Sequence, residues 1–325
     1  MITQKELAEL AGISRPALSM YLNAPNTSHL SEAKKRKLDA LIRQYNYHPN
    51  LAARSLQGKK LQLVGIAGNL FNVPIHSAMI ETLNRKLMEH GYQAILGDFS
   101  GMTSDEGVER IIQEFIWRKI DLLFLFNDYP SGKLIEFPGP VIRITENHRI
   151  FDICTDLRLA GKIAAEHLLS CGRRNLAYLS MPSSSHRELR LSGMIDALQQ
   201  AGFTASPEEL DLPFSDDLAQ QIQNRKIDGI FCVNEFVAAK LYQKLAVAGL
   251  RIPDDVSVVG FDGLPMGELL MPPLTSIAQP VEEIAEKAVA LMNAKFCGEN
   301  PAEIQWFAPR LCIRESSVIS PRLQG

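Results

Sequence analysis

The sequence predicts an N-terminal all-α helix-turn-helix headpiece followed by an α/β core of parallel, doubly wound sheets in two lobes. Three observations carry this. The first sixty residues hold helix caps around a short glycine turn, charge divides into a basic head and an acidic body, and later strand-like runs alternate with glycine-ended helices. At 325 residues the chain has room for two or three compact units. It is 46% hydrophobic and 22% charged, an ordinary balance for a globular protein.

Thr3-Gln4-Lys5-Glu6 is a capping box: the Thr3 hydroxyl takes an orphan amide of the first turn and Glu6 reaches back. Leu7, Leu10 and Ala11 then fall on one helical face, and Gly12-Ile13 makes a tight turn. Ser14 caps a second helix running to Asn23, with Pro16 in the first turn, where no intrahelical amide bond is lost. This spacing places the second helix in a DNA major groove. Ser31 opens a third helix to about Tyr45, whose Leu38, Leu41 and Ile42 close a small core.

Residues 1–60 carry ten Lys or Arg against four Asp or Glu, a balance of +6, which leaves −9 on the remainder of a chain of net charge −3. Phosphate contact asks for such a head at one end only, whereas a merely solvated face would account for Lys34, Lys35, Arg36 and Lys37 alone. Beyond the third helix, about seven residues of the segment from Tyr47 to Leu56 can be helical, too few to hold alone in water. Such a segment orders against a partner copy or DNA. Leu56, apolar and without a core to enter, reads either as a wedge for the minor groove or as a residue docked on the next domain.

From Leu61 onward, strand-like runs occur at Leu63–Ala67, Ala94–Leu96, Leu122–Phe126, Val141–Ile144, Leu176–Leu179, Gly229–Val233 and Val256–Phe261. Helical patterns fill the intervals, and Gly91, Gly172, Gly202 and Gly249 end four of them. A βαβα order implies parallel sheets covered by helices on both faces. The length exceeds one such sheet, so two lobes are expected, with a small-molecule site at the carboxyl ends of the strands.

Other function classes find little support. The text contains no phosphate loop, no GxSxG elbow, no HExxH and no GxGxxG after a strand, so neither an enzyme nor a cofactor is expected. Five scattered cysteines show no CxxC spacing and seven histidines no metal spacing. With no apolar run of membrane-spanning length and no signal-peptide pattern, the expectation is a cytoplasmic protein without a membrane partner. A secreted binding protein would have the two lobes but not the head.

The segments "KELAELAGIS", "LSMYLN" and "YHPNLAARSL" in the head, and "AAEHLLSCGRRNLAYL", "RLSGMIDALQQAGF" and "GLRIPDDVSVVGFDGLPMGELLMPPLTSIAQP" in the body, resemble the lactose-repressor/galactose-repressor (LacI/GalR) family of bacterial transcription regulators. The resemblance covers essentially the whole chain. It implies a periplasmic-binding-protein-like core whose chain crosses between lobes three times, near Thr155, Gln279-Pro280 and Arg310. The expected division is a DNA-binding domain at 1–46 and a hinge at 47–60. One lobe comprises 61–155 and 281–309, the other 156–280 and 310–325. The implied function is a repressor, active as a homodimer on double-stranded operator DNA and controlled by a sugar-like effector between the lobes. The alternative is a regulator with a vestigial cleft controlled by a protein partner.

Carried over position by position, the resemblance makes Arg15 and Pro16 the specificity pair and Ala17, Ser19 and Asn23 groove or phosphate contacts. Leu56 becomes the minor-groove lever. Thr3 and Ser14 at the helix starts and Tyr47, Asn50 and Ala53 in the hinge complete the DNA-contacting set. Met20 stands where the family usually has Arg, so Arg15 is left either to read guanine or to touch phosphate. For the effector the set is Phe71, Arg190, Phe214, Asn234, Glu235 and Asp262. A guanidinium, two carboxylates, an amide and aromatic faces suit a hydroxylated ring. The first lobe departs from the family, since the acidic residue and the Asn before Pro after its first strand are missing; just past the first crossing, Leu157 stands where Asn is common.

Overall fold

In the computed structural model, residues 2–23, 29–47, 60–126, 129–131, 133–144, 151–181, 187–299 and 303–318 are described. They fall into two compact units, Met1–Leu61 and Gln62–Gly325.

The first unit holds three helices, α1 (Gln4–Ala11), α2 (Arg15–Asn23) and α3 (Glu32–Gln44). The capping box forms as expected: the Glu6 amide donates to Thr3 Oγ1 at 3.3 Å and the Thr3 amide to Glu6 Oε2 at 2.8 Å. The turn that ends α1 needs Gly12, whose φ is 67°. Ser14 Oγ accepts from the Ala17 amide at 3.3 Å and so caps α2. Ser31 occupies the N-cap position of α3, but its side chain accepts no cap bond. The three helices close over Leu7, Ala8, Ala11, Leu18, Tyr21, Leu38 and Tyr47. Leu10, expected on the buried face, is exposed. Ala8 takes the inward place, because α1 meets two helices and its buried face turns toward both. The Tyr21 hydroxyl donates to Asp39 Oδ1 at 2.7 Å, locking α2 to α3 and pushing the phenol up to about 12.

The second unit builds two main sheets. The first joins β1 (Leu63–Gly68), β2 (Gln93–Asp98), β3 (Leu122–Leu125) and β4 (Val141–Arg143) in the order β2-β1-β3-β4, all parallel. Helices α4 (Pro74–Glu89) and α5 (Asp105–Trp117) connect its strands. A short strand, β5 (Ile153–Thr155), then leads to α6 (Leu157–Ser170). The second sheet takes β6 (Leu176–Ser180), β7 (Asp211–Pro213), β8 (Gly229–Cys232), β9 (Ser257–Asp262), β10 (Thr275–Ala278) and β12 (Arg310–Cys312). Its order is β12-β10-β9-β8-β6-β7. Helices α7 (Arg187–Gln200), α8 (Pro207–Leu210), α9 (Leu218–Asn224) and α10 (Glu235–Val247) join these strands. The seven strands expected from apolar runs all form, and Gly91, Gly172, Gly202 and Gly249 end helices at φ 77°, 85°, 82° and 72°. β12 is the departure from a parallel arrangement, running antiparallel to β10.

After β10 the chain leaves the second sheet for α11 (Val281–Phe296), whose Ile284, Ala288 and Met292 pack into one apolar cluster with Val64 and Ile66 of the first and Leu83 of α4. β11 (Gln305–Phe307) pairs with β5, and β12 returns to β10. The segment after β12 is stitched to the second sheet: the Val258 amide donates to the Ser316 carbonyl at 2.9 Å and the Ser316 amide to the Pro273 carbonyl at 3.0 Å. Ser316 and Ser317 are fully buried there.

α6 and α7 cross backbone to backbone. A Cβ at Gly161 would overlap the Arg190 carbonyl, and one at Gly193 the Arg158 carbonyl. Both obstructions are main chain, which cannot swing aside. Gly161→Ala and Gly193→Ala should therefore each destabilise the protein by about 1–3 kcal/mol or more through overpacking, read as a lowered urea midpoint at unchanged m.

Candidate functional site

α2 turns Leu18 and Tyr21 into the headpiece core and leaves its other side outward. Arg15, Pro16 and Met20 are exposed there, as are Thr3 and Ser14 at the helix starts, while Ala17 and Ser19 are half-buried and Asn23 ends the helix. The Arg15 Nε donates to Gln4 Oε1 at 3.4 Å, which lays the guanidinium along α1. Lys34, Arg36 and Lys37 are exposed on α3, and Lys35 pairs with Glu32 at 2.8 Å. Tyr47 is different. At 7% exposure it belongs to the headpiece core, and its amide donates to the Ile42 carbonyl, so it packs the helices instead of facing outward. Asn50, Ala53 and Leu56 lie outside the described residues.

In the second sheet the order β7-β6-β8-β9 sets Phe214, Asn234 and Asp262 at the carboxyl ends of neighbouring strands. The strand order reverses between β6 and β8, where ligand crevices open in sheets of this kind. Phe214 is half-buried with Lys244 Nζ 5.5 Å from its ring centre. Asn234 caps α10, its Oδ1 accepting from the Val237 amide at 2.9 Å. Asp262 is 6% exposed, and its φ of 98° is a strained conformation for a residue with a Cβ, costing on the order of 1–3 kcal/mol. Its Oδ1 accepts from Gln279 Nε2 at 2.8 Å, and Gln279 Oε1 accepts from Thr155 Oγ1 at 2.6 Å.

Two residues of the expected effector set lie elsewhere than at an open cleft. Arg190, 3% exposed, donates to the Tyr178 hydroxyl at 3.1 Å and lies 4.3 Å from the centre of the Phe261 ring. It is held beneath the strand end that carries Asp262. Glu235 is corrected outright as a ligand contact: at 0% exposure, its Oε1 accepts from the Gly263 amide at 2.7 Å and from Ser276 Oγ at 2.5 Å. A carboxylate taken from water needs partners within the protein, and the turn after β9 together with Ser276 supplies them to Oε1. Burial pushes its pKa up against these bonds.

At the first sheet's own reversal, between β1 and β3, Phe71 is exposed in the loop after β1. Asp98, at the end of β2, organises that loop: its Oδ1 accepts from the Leu70 amide at 3.0 Å, the Ser100 amide at 3.1 Å and Ser100 Oγ at 2.6 Å. Burial pushes the Asp98 carboxyl up, but these bonds outweigh it and hold it below the usual range. His76 Nδ1 lies 2.8 Å from the Asn69 carbonyl, and its ring stands 4.9 Å from that of Phe126. Both line a small, mostly apolar recess that reaches Thr155 and Gln279. Sequence reasoning missed Asp98, His76, Thr155 and Gln279 as site residues, although two of them stand at the expected lobe crossings. Among the described residues, no group of His, Cys, Asp or Glu is placed to hold a metal ion.

The helix-turn-helix family matches residues 1–49, and the periplasmic binding protein-like domain family matches residues 165–317. The chain is 28% identical over 309 residues to the ribose operon repressor of Escherichia coli K12, covering 90% of this chain and 92% of that protein. It is 27% identical over 341 residues to the HTH-type transcriptional regulator GalR of the same strain, covering 100% of this chain and 98% of that one. Among solved structures, the Lac repressor dimer bound to operator and the anti-inducer ONPF is similar in fold. The TM-score is 0.77 at 21% identity, over 98% of this chain and 99% of that one.

The buried Glu235 gives a pH-dependent test. With its folded pKa raised, its stabilising contribution is present below the ordinary carboxylate range and is lost as pH rises through the raised value. Thermal unfolding of wild type and Glu235→Gln between about pH 4 and 8 should show the wild type losing ground to the variant as pH rises.

Proposed function

We propose that the chain is a LacI/GalR-type transcription regulator, a sequence-specific DNA-binding repressor whose grip on its operator answers to a small polar effector. The observation that carries this reading is α2, locked on one side by Leu18 and the Tyr21–Asp39 bond and offering Arg15 and Pro16 on the other. A rigid helix with an outward cation at its first turn can enter a major groove and keep register there. The DNA-contacting set is Thr3, Ser14, Arg15, Pro16, Ala17, Ser19 and Asn23, with Asn50, Ala53 and Leu56 from the hinge. Leu56 is the minor-groove wedge. With Met20 unable to pair with guanine, Arg15 is the base-reading cation.

The body divides into a lobe of 61–155 and 281–309 and a lobe of 156–280 and 310–325. The packing of α11 on the first sheet and the return of β12 to the second support this division. The effector lies between them, against Phe214, Asn234 and Asp262 on one side and Phe71 on the other, with the Arg190 guanidinium beneath. A sugar-like ring fits the hydroxyl-binding chemistry of Asp262 and Asn234 and the apolar faces of the two phenylalanines. Two copies form a homodimer on a pseudo-palindrome in the cytoplasm, and no helix among the described residues is long and apolar enough to cross a membrane. The protein regulates and does not catalyse.

A second reading has its own support. Arg190 and Glu235 are engaged within the protein, as they would be in a body whose cleft no longer takes a metabolite and answers to a protein partner. A thermal-shift panel of monosaccharides, sugar acids and nucleosides on the full chain separates the two, since an effector raises Tm by mass action. We expect a sugar to raise it. Binding to genomic fragments should weaken steeply with salt, and Arg15→Ala should lower preference for the selected operator by about 1–3 kcal/mol. Loss of all sequence preference in the wild type would overturn the reading.

A further inference from the structure

We propose that Glu235 is a positioning residue that reaches no ligand but aims Asp262 into the effector site. The inference rests on the reading of Asp262 as an effector contact. Asp262 ends β9 in a left-handed conformation that its own side chain disfavours, so neighbouring atoms must hold it there. On its carboxyl side stands Gly263, at φ 75°, where a Cβ would overlap the Ala278 side chain. The Gly263 and Leu264 amides both donate to Glu235 Oε1, at 2.7 Å and 3.3 Å, and Ser276 Oγ from the adjoining strand donates to the same oxygen at 2.5 Å. One carboxylate oxygen thus gathers the two peptide groups that follow Asp262 and ties them to β10.

Two successive amides pointing at one spot form a concave, electropositive pair, for which an anionic acceptor is the strongest complement. Glu235 supplies it from the first position of α10, where the helix end also favours negative charge. Its Oε2 has no hydrogen-bond partner among the described residues, so its bonds to the turn and to Ser276 all run through Oε1. On the other side, Asp262 is met by Gln279 through both side chain and backbone, the Gln279 amide donating to the Asp262 carbonyl at 3.2 Å. Glu235 therefore sets the backbone of the turn, and Gln279 sets the carboxylate that the backbone presents.

The test uses the full-length chain, with Glu235→Ala and Glu235→Gln beside the wild type. Amide hydrogen exchange is followed at Gly263 and Leu264. Affinity is titrated for the monosaccharide that most raises the wild-type Tm in the panel. Glu235→Ala should speed exchange at both amides and weaken the sugar, each by about tenfold, whereas Glu235→Gln, whose amide oxygen still accepts both bonds, should restore most of each. A Glu235→Ala protein with lowered Tm but unchanged exchange at these amides and unchanged affinity overturns the proposal. If no sugar binds the wild type, the effector reading alone fails, and the exchange rates still decide: unaltered rates overturn the role of Glu235 and faster ones support it.

Discussion

Where one chain serves two sheets, the crossing segments leave regular hydrogen-bonded structure while still buried, and their polar groups must be satisfied on the spot. The bonds from Thr155 through Gln279 to Asp262 meet that demand here. Thr155 ends β5 and Gln279 follows β10, so the chain joins two of the segments that pass between the sheets and then reaches a strand end of the second. The interior dielectric strengthens such bonds and makes a missing member costly. A molecule that offered hydroxyls to Asp262 would compete with Gln279, so occupancy of the site and the geometry of the crossings would share one set of atoms.

Much of the architecture could be read from residue pattern because its signals are long. Apolar runs of five and six residues and glycine-ended helices define β1, β9 and the helices between them without help from neighbours. Strands β5, β7, β11 and β12 have three residues each, too short to show a period, and their pairing comes from the sheets they border. Leu10 and Tyr47 show a different shortfall. An apolar residue beside a helical stripe can turn in or out by one position, and a tyrosine at a hinge can close the core before it.

The site was legible to the level of strand ends and no further. Position predicts that Asn234, Glu235 and Asp262 lie together, but not which way each side chain turns. Asn234 spends its oxygen on the first turn of α10 and Glu235 its own on the turn after β9, so neighbours in sequence serve different ends. Arg190 lay in a motif that pointed at a ligand, yet its guanidinium rests on Phe261 and Tyr178. Buried cations and anions are settled by partners distant in sequence, which a single chain of letters does not pair.

The stitching of Ser316 to the second sheet bears on the order in which the protein can be made. Protein synthesis runs from amino to carboxyl terminus, and both β12 and the Ser316 segment follow every other strand of that sheet. Until the ribosome has extruded them, β10 carries an open edge and the Val258 amide lacks its carbonyl. The second sheet is therefore completed after translation has passed residue 316, and a nascent chain stalled short of it would present an uncovered, pairing-prone margin to the cell's chaperones.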